Sequence, residues 1–182
     1  VRLKGRDNWT MDDELRERFG VLVEDAAGLV YQHRREQLRD VPVREELPDL
    51  DAALVRFEQS LRQMVEAVHA SGSQLVLLTQ PSVYYAGLSA EHEKLLWIAF
   101  LGKKDAPQAR YATASLERAL QRFNDTTLRV CADSEAECID VARALESGPR
   151  EAYYYDDAHF TELGAERLAS VIADWFAQRG TR

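Results

Sequence analysis

The sequence predicts one α/β domain with a parallel sheet, because helical and strand-like segments alternate along its 182 residues. An amphipathic helical pattern from residue 51 stops at Gly72, and a nearly continuous apolar run follows over 74–79. A second short strand pattern, 138–141, has helical patterns on both sides. Helix, glycine and buried strand are typical of the second half of a βαβ unit, and the length suits a single domain over 1–182.

The N-terminal half is predicted to contain two strands and two helices. Residues 1–5 alternate apolar and charged side chains, which indicates a short strand. A helical pattern runs over about 11–39, where two glycines are expected to bend or break it. Two prolines mark 41–51 as a loop, and apolar residues recur at helical spacing over 51–72. The strand at 74–79 is expected to be buried on both faces.

The C-terminal half continues the alternation. After a loop at 80–88, Ser89 is expected to cap a short helix that carries Leu95, Leu96, Ile98 and Phe100. Residues 102–108 are predicted to be a loop. A longer helix is marked by Leu116, Leu120, Phe123 and Val130. Thr161 starts the last helix, whose apolar face is formed by Leu168, Val171, Ile172, Trp175 and Phe176.

Composition excludes several classes of partner. The chain has 31 Asp and Glu against 23 Lys and Arg, a net charge of −8, so nucleic acid phosphates would be repelled. No basic stripe with interleaved aromatic residues offsets that charge. No run of 18 apolar residues predicts a membrane span. We expect no nucleic acid partner and no cofactor.

The chemistry is expected beyond the carboxyl ends of the strands, where parallel sheets bind their ligands. Residues 5–9, 79–85 and the loop before 156–159 occupy such positions. Asp156 and His159, three residues apart on a tight turn, can lie side by side. A carboxylate at Nδ1 would leave Nε2 free as a base, which is the acid-and-imidazole half of a hydrolytic triad.

Other interpretations of this pair remain open. Asp156 or Asp157 can simply cap a turn while His159 packs at the start of a helix. The three residues could also bind a metal ion, but no second cluster of His, Asp or Glu follows another strand, so no metal is expected.

The run Asp-Asp-Ala-His-Phe-Thr-Glu-Leu-Gly-Ala, which starts at Asp156 and leads into an amphipathic helix, closely resembles the last block of the SGNH/GDSL hydrolases. In that family a DxxH motif supplies the Asp and His of the triad, which here would be Asp156 and His159. The resemblance implies a flavodoxin-like three-layer α/β/α sandwich. The strand at 75–79 resembles the family's fourth strand, and Ile139-Asp140 its fifth.

A second block lies near the start of the sequence. Gly5-Arg6-Asp7-Asn8-Trp9 resembles the family's Gly-x-Asn-Asp block with its last two residues in reverse order. The resemblance implies that Gly5 and Asn8 contribute to an oxyanion hole. In the competing assignment Asp7 takes the place of the donor, where its carboxylate would repel a developing oxyanion.

The family's nucleophile block, Gly-Asp-Ser, is absent from these 182 residues. We therefore expect the serine upstream of Val1, on an N-terminal segment or a partner chain that would also complete the sheet. Ser82 follows a strand and could be imagined as a substitute. No tight elbow presents it, so we interpret it as a loop serine.

The resemblance implies a carboxylic-ester hydrolase, an esterase or deacetylase that acts on a small ester or an acylated carbohydrate through an acyl-enzyme. Gln80, Tyr84 and Tyr85 are expected to line the substrate cleft, whereas Trp97 and the tyrosines at 153–155 are expected in the core. A catalytically inert glycan- or protein-binding module and an O-acyltransferase using the same residues are the alternatives.

The remaining residues of interest are cysteines and histidines. Cys131 and Cys138 are seven residues apart and could form a local disulfide or remain two free thiols. A disulfide would favour the cell envelope or secretion. The remaining histidines, which lie in helical patterns, are interpreted as surface or packing residues: His33, His69 and His92.

Overall fold

The computed structural model describes residues 29–103, 106–134 and 136–179. The predicted strand at 1–5, the segment Gly5–Trp9 and the predicted helix up to residue 28 lie outside these residues. The described part of the chain combines helices with short strands, so the predicted α/β class is confirmed.

The elements follow one another in this order. The helices are α1 (29–39), α2 (Asp51–Ala70), α3 (Ala90–Glu93), α4 (Thr113–Ala132), α5 (Val141–Glu146) and α6 (Glu162–Arg179). The strands are β1 (Val43–Arg44), β2 (Val76–Leu78), β3 (Phe100–Lys103), β4 (Ala106–Tyr111) and β5 (Glu137–Ile139). A 3₁₀ turn, Arg150–Tyr153, lies between α5 and α6.

Strands β2 and β5 form a parallel pair, with Leu77 opposite Cys138. Helices α2 and α4 pack together beside this pair, and Leu61, Leu77 and Val130 belong to the core between them. Strand β2 is not buried on both faces as predicted, because Leu77 is buried while Leu78 is 40% exposed. Successive strand residues point to opposite faces, and the core lies on the face of Leu77.

A second sheet corrects the prediction of a loop at 102–108. Strands β3 and β4 form an antiparallel hairpin there, and β1 pairs in parallel with the other edge of β4. The register shifts between Leu101 and Gly102, and Gly102 has a φ of +103°, a left-handed conformation that glycine adopts without a steric penalty. The alternation in this stretch was too irregular to indicate a strand pattern.

The helix after Ser89 is shorter than predicted. Ser89 accepts a hydrogen bond from the backbone N–H of His92 and caps α3, as expected, but the helix ends at Glu93. Three of the apolar residues assigned to it follow it instead, and Phe100 belongs to β3. Leu95 and Leu96 still donate turn-type bonds to His92 and Glu93, but the backbone N–H of Trp97 donates to the Asp157 carboxylate, so a tertiary contact replaces the helical bond there.

The remaining boundaries agree at α2 and at the start of α6, whereas β1 lies within the predicted loop at 41–51 and α5 was not predicted. Helix α2 ends before Gly72, whose φ of +74° is the left-handed conformation of a C′ glycine. The Thr161 hydroxyl accepts from the N–H of Gly164 at the start of α6. Gly164 faces the carbonyl of Tyr153 so closely that a β-carbon would clash, so glycine lets α6 pack on the 3₁₀ turn.

Two further findings concern the cysteines and the helices. Cys131, at the end of α4, forms a disulfide with Cys138 in β5, so the disulfide alternative is the one observed. No helix in the described residues is long and apolar enough to cross a membrane.

Candidate active site

Asp156 and His159 lie in direct contact on the turn that joins the 3₁₀ turn to α6. The Nδ1 atom of His159 is 2.8 Å from Oδ2 and 3.0 Å from Oδ1 of Asp156. The Asp156 side chain is completely buried, whereas 43% of the His159 side chain is exposed. A carboxylate at Nδ1 favours the tautomer that carries its proton there, which leaves Nε2 as a hydrogen-bond acceptor.

The Asp156 carboxylate accepts several further hydrogen bonds. The backbone N–H groups of Ala158 and His159 donate to Oδ1 at 2.9 and 2.8 Å, and the indole N–H of Trp97 donates to Oδ2 at 3.0 Å. Burial alone raises the pKa of the Asp156 carboxyl, but these donors and the His159 ring outweigh it, so the net pKa is lowered. Asp156 is therefore held as a carboxylate facing the imidazole.

Aromatic rings surround the His159 imidazole. The Tyr155 ring is nearly parallel to it at a centroid distance of 5.4 Å, and the Trp97 ring is nearly parallel at 6.5 Å. Tyr31 of α1 packs on Trp97 at 4.6 Å and lies 6.3 Å from His159. These rings restrict the orientation of the imidazole and provide an apolar, partly open surface beside it.

Asp157 has a different environment from its neighbour. Its Oδ1 accepts the Tyr84 hydroxyl at 2.7 Å, and its Oδ2 accepts the backbone N–H of Trp97. Burial raises the pKa of Asp157, although the Tyr84 and Trp97 hydrogen bonds oppose this. Burial also raises the pKa of the Tyr84 hydroxyl, so the tyrosine stays protonated and donates. Asp157 thus connects its own turn to the loop after β2, through Tyr84, and to the segment after α3, through Trp97.

The structure separates the other residues predicted for the cleft. Tyr84 reaches Asp157, next to the pair, and packs against the core that contains Tyr153 and Tyr154. Tyr85 instead donates to Glu151 at 2.6 Å. The Gln80 side chain is exposed and donates to the carbonyl of Pro81, and its backbone bonds Asn124 of α4. The predicted oxyanion residues, namely Gly5, Asp7 and Asn8, lie outside the described residues.

Other candidates have structural roles or lie elsewhere. Ser82 is buried, and its carbonyl accepts from Arg150. Three histidines lie in the first three helices, as expected: His33, His69 and His92. In the part of the chain that the structure describes, no group of three or more His, Cys, Asp or Glu side chains could hold a metal ion.

Sequence reasoning missed the importance of Trp97 and Arg35. Trp97 was assigned to the core because buried aromatic residues are common there, yet its indole bonds Asp156. Arg35 of α1 donates to the carbonyl of Leu95, and its Nη2 is 3.9 Å from Asp156 Oδ2. These residues lie about 60 and 120 positions from Asp156, and no local pattern links segments so far apart.

Comparison with protein families identifies the family of the chain. A family model described as the SGNH domain that is fused to AT3 domains matches residues 13–174. The chain therefore belongs to this SGNH family. A search of the curated proteins found no match to this chain, and a search of the solved structures found none either.

Proposed function

We propose that this domain is an SGNH-type serine hydrolase that cleaves an ester or O-acetyl group through an acyl-enzyme. The observation that carries the proposal is the Asp156–His159 pair. A fully buried carboxylate holds one nitrogen of an imidazole that is 43% exposed. This arrangement suits general-base catalysis. The imidazole must be exposed to reach a substrate, and the buried carboxylate holds the imidazole in its orientation.

In the proposed reaction His159 Nε2 takes the hydroxyl proton of a serine while the serine oxygen attacks the acyl carbon. The tetrahedral intermediate then expels the alcohol, which takes the proton from His159. A water molecule next attacks the acyl carbon while His159 accepts its proton; the bond between the acyl carbon and the serine oxygen then breaks, the free acid leaves, and His159 returns the proton to the serine oxygen. Asp156 stabilises the imidazolium during both steps.

The oxyanion is proposed to be stabilised by the Asn8 side chain and by Gly5, as the family resemblance implies. In the competing assignment Asp7 occupies the donor position. Removal of one oxyanion donor typically costs about 10²–10³ in rate, so the identity of this residue determines how efficient the enzyme is.

The serine is proposed to lie before Val1, on the same chain or on a partner chain, because no Gly-Asp-Ser occurs in these 182 residues. The same segment would complete a flavodoxin-like three-layer sandwich. The parallel pairing of β2 with β5 supports that arrangement, since the fourth and fifth strands of such a sheet are parallel neighbours.

The proposed substrate is a small ester or an acylated carbohydrate. The exposed Tyr155 ring and the other aromatic rings beside His159 support it, because such surfaces bind acyl groups and the apolar faces of sugars. The Cys131–Cys138 disulfide supports localisation to an oxidising compartment, in the cell envelope or outside the cell.

A fluorophosphonate probe tests the proposal, because it reacts covalently with an activated serine. The full-length gene product should be labelled, and His159→Ala should lower the labelling rate by about 10³-fold or more. His33→Ala, which removes an exposed histidine of α1, is the matched control and should label like the wild type.

Circular dichroism should show that both variants are folded. Equal labelling of His159→Ala and the wild type would contradict the proposed role of the imidazole. Folded full-length protein without any labelling would contradict a nucleophilic serine on the same chain and favour the inert binding module. Release of free acyl acid, rather than transfer to an added alcohol, would distinguish hydrolysis from acyl transfer.

A further inference from the structure

A cleft of about 230 Å³ is lined by Trp97 and Arg35, the two side chains that also reach Asp156. Helix α1 forms one wall with Arg35, Leu38 and Arg39, and the segment around Leu96 and Trp97 forms another. Its volume is below the roughly 300–1,000 Å³ of pockets that hold drug-sized ligands, so it has room for one small group.

The cleft is basic although the chain as a whole is acidic. Four cationic side chains line it, namely Arg35, Arg39, Lys94 and Arg110, against two carboxylates, those of Glu93 and Asp157. The whole chain has 31 acidic and 23 basic residues. A local excess of cations in a concave, partly apolar site attracts anions and strengthens their binding.

The cations of the cleft are only partly paired. Arg110 lies 3.3 Å from Glu93, and Lys94 pairs with the exposed Glu91. Arg35 lies 3.9 Å from the buried Asp156 carboxylate, and Asp157 accepts hydrogen bonds from Tyr84 and Trp97. Arg39 makes no ion pair or hydrogen bond with the residues that the structure describes.

We propose that this cleft binds an anionic group, a carboxylate or a phosphate, of the molecule whose ester the site cleaves. The inference rests on the proposed function and names its substrate class: an acylated compound that carries negative charge. Arginine suits this task, because its planar guanidinium can donate two parallel hydrogen bonds to a carboxylate or phosphate. Apolar side chains, among them Leu38 and Leu96, would contact the uncharged part of the same unit.

The shared residues connect the cleft to the proposed chemistry. Trp97 lines the cleft, and the same indole bonds Asp156 and lies nearly parallel to the His159 ring. Arg35 also lines the cleft and reaches within 3.9 Å of Asp156. A substrate anchored by its anion would therefore extend past one indole ring to present its ester at the imidazole.

Titration calorimetry on the full-length protein tests the proposal without requiring turnover. The probes are methyl β-glucuronide, the neutral methyl β-glucoside, which lacks its carboxylate, and inorganic phosphate. We expect the glucuronide, the phosphate or both to bind, and the glucoside to bind at least about fivefold more weakly than the anion that binds. Added salt should weaken the anion because it screens the charges.

Arg39→Gln is the informative variant, because Arg39 belongs to the cleft but not to the Asp156–His159 pair. It should weaken the bound anion about fivefold and leave the glucoside unchanged, and Arg110→Gln should act in the same direction. Arg56→Gln, which removes an exposed arginine of α2 outside the cleft, is the matched control and should not change the binding.

The possible outcomes separate this inference from the proposed hydrolase. Binding of the glucuronide alone indicates an acidic sugar, and binding of phosphate alone indicates a phosphorylated substrate; both support the cleft. Equal affinity for glucoside and glucuronide, no binding of either anion, or unchanged binding by Arg39→Gln would overturn it. His159→Ala should bind the anion with the affinity of the wild type. Anion binding in the cleft can therefore be measured even in a protein whose serine does not react with the probe.

Discussion

The adjacent aspartates Asp156 and Asp157, on the turn before α6, have environments that shift their pKa values in opposite directions. Backbone amides, an indole and an imidazole surround Asp156 and lower its pKa in spite of burial. Asp157 meets fewer donors, and burial raises its pKa. This difference assigns the role of the charged partner of His159 to Asp156, and leaves Asp157 to connect Tyr84 and Trp97. Residue type alone does not distinguish the two.

Trp97 is a positioning residue for this pair. We predict that Trp97→Phe slows fluorophosphonate labelling about tenfold, because the ring stays against His159 while the hydrogen bond to the Asp156 carboxylate is lost. The pKa of Asp156, followed by carbon-13 NMR titration of its carboxyl, should rise, which a purely structural role of the ring would not cause.

Trp175→Phe is the matched control for that experiment. Trp175 lies on α6 against Phe176 and Arg179, so the same change there should alter neither the labelling rate nor the Asp156 titration. An unchanged Asp156 pKa in Trp97→Phe would contradict the positioning role.

Among the elements, the 3₁₀ turn and α6 determine where the site residues lie. The 3₁₀ turn presents Glu151, whose carboxylate accepts from the Ser89 hydroxyl and the Tyr85 hydroxyl, each at 2.6 Å. Through this contact the loop after β2 is joined to the segment just before Asp156. Helix α6 packs on the same turn through Gly164, so the DxxH segment is held from both sides.

The Cys131–Cys138 disulfide joins the end of α4 to β5 next to the core. We predict that replacing both cysteines by serine lowers the free energy of unfolding by about 2 kcal/mol, because the unfolded chain loses a short closed loop. Thermal unfolding should shift down by about 4–8 °C.

Wild-type protein treated with a reductant should have the same free energy of unfolding as this double variant. This comparison controls for the effect of the substitutions themselves. In protein isolated without reductant, both cysteines should resist alkylation. Rapid alkylation of the native protein would contradict the disulfide and, with it, the inference of an oxidising compartment.

For the whole molecule, carboxylates with a lowered pKa make the fold sensitive to acid. Hydrogen bonds from Ser89 and Tyr85 lower the pKa of Glu151 to about 2, from an ordinary value of 4.5. Its contribution to stability is present above pH 4.5 and is lost as the pH falls towards 2. Asp156 acts in the same direction, whereas the raised pKa of Asp157 acts in the opposite one.

We therefore predict that Glu151→Gln is less stable than the wild type at pH 7 and that the difference narrows as the pH falls from 4.5 to 2. Urea unfolding at several pH values measures this. Glu166→Gln removes an exposed carboxylate of α6 and should not change the pH dependence. A Glu151→Gln variant that loses stability in parallel with the wild type would contradict the prediction.

The sequence predicted elements whose signals are local. The apolar spacing and C′ glycine of α2, the Thr161 start of α6 and the α/β class all follow from patterns within a few residues. The DxxH spacing placed Asp156 and His159 on one turn for the same reason. The β3–β4 hairpin was missed, because a glycine bulge interrupts the alternation on which strand prediction depends.

By itself, the sequence determined the α/β class, the bounds of α2, the start of α6 and the contact of an imidazole with the acid three residues before it, because short-range spacing and backbone geometry control these. Only the tertiary structure decided that Trp97 and Arg35 converge on Asp156 and that Tyr85 donates to Glu151. It also decided that the face of β2 that carries Leu78 is exposed. Those contacts join segments far apart in sequence, and burial and hydrogen-bond satisfaction select them only once the chain has folded.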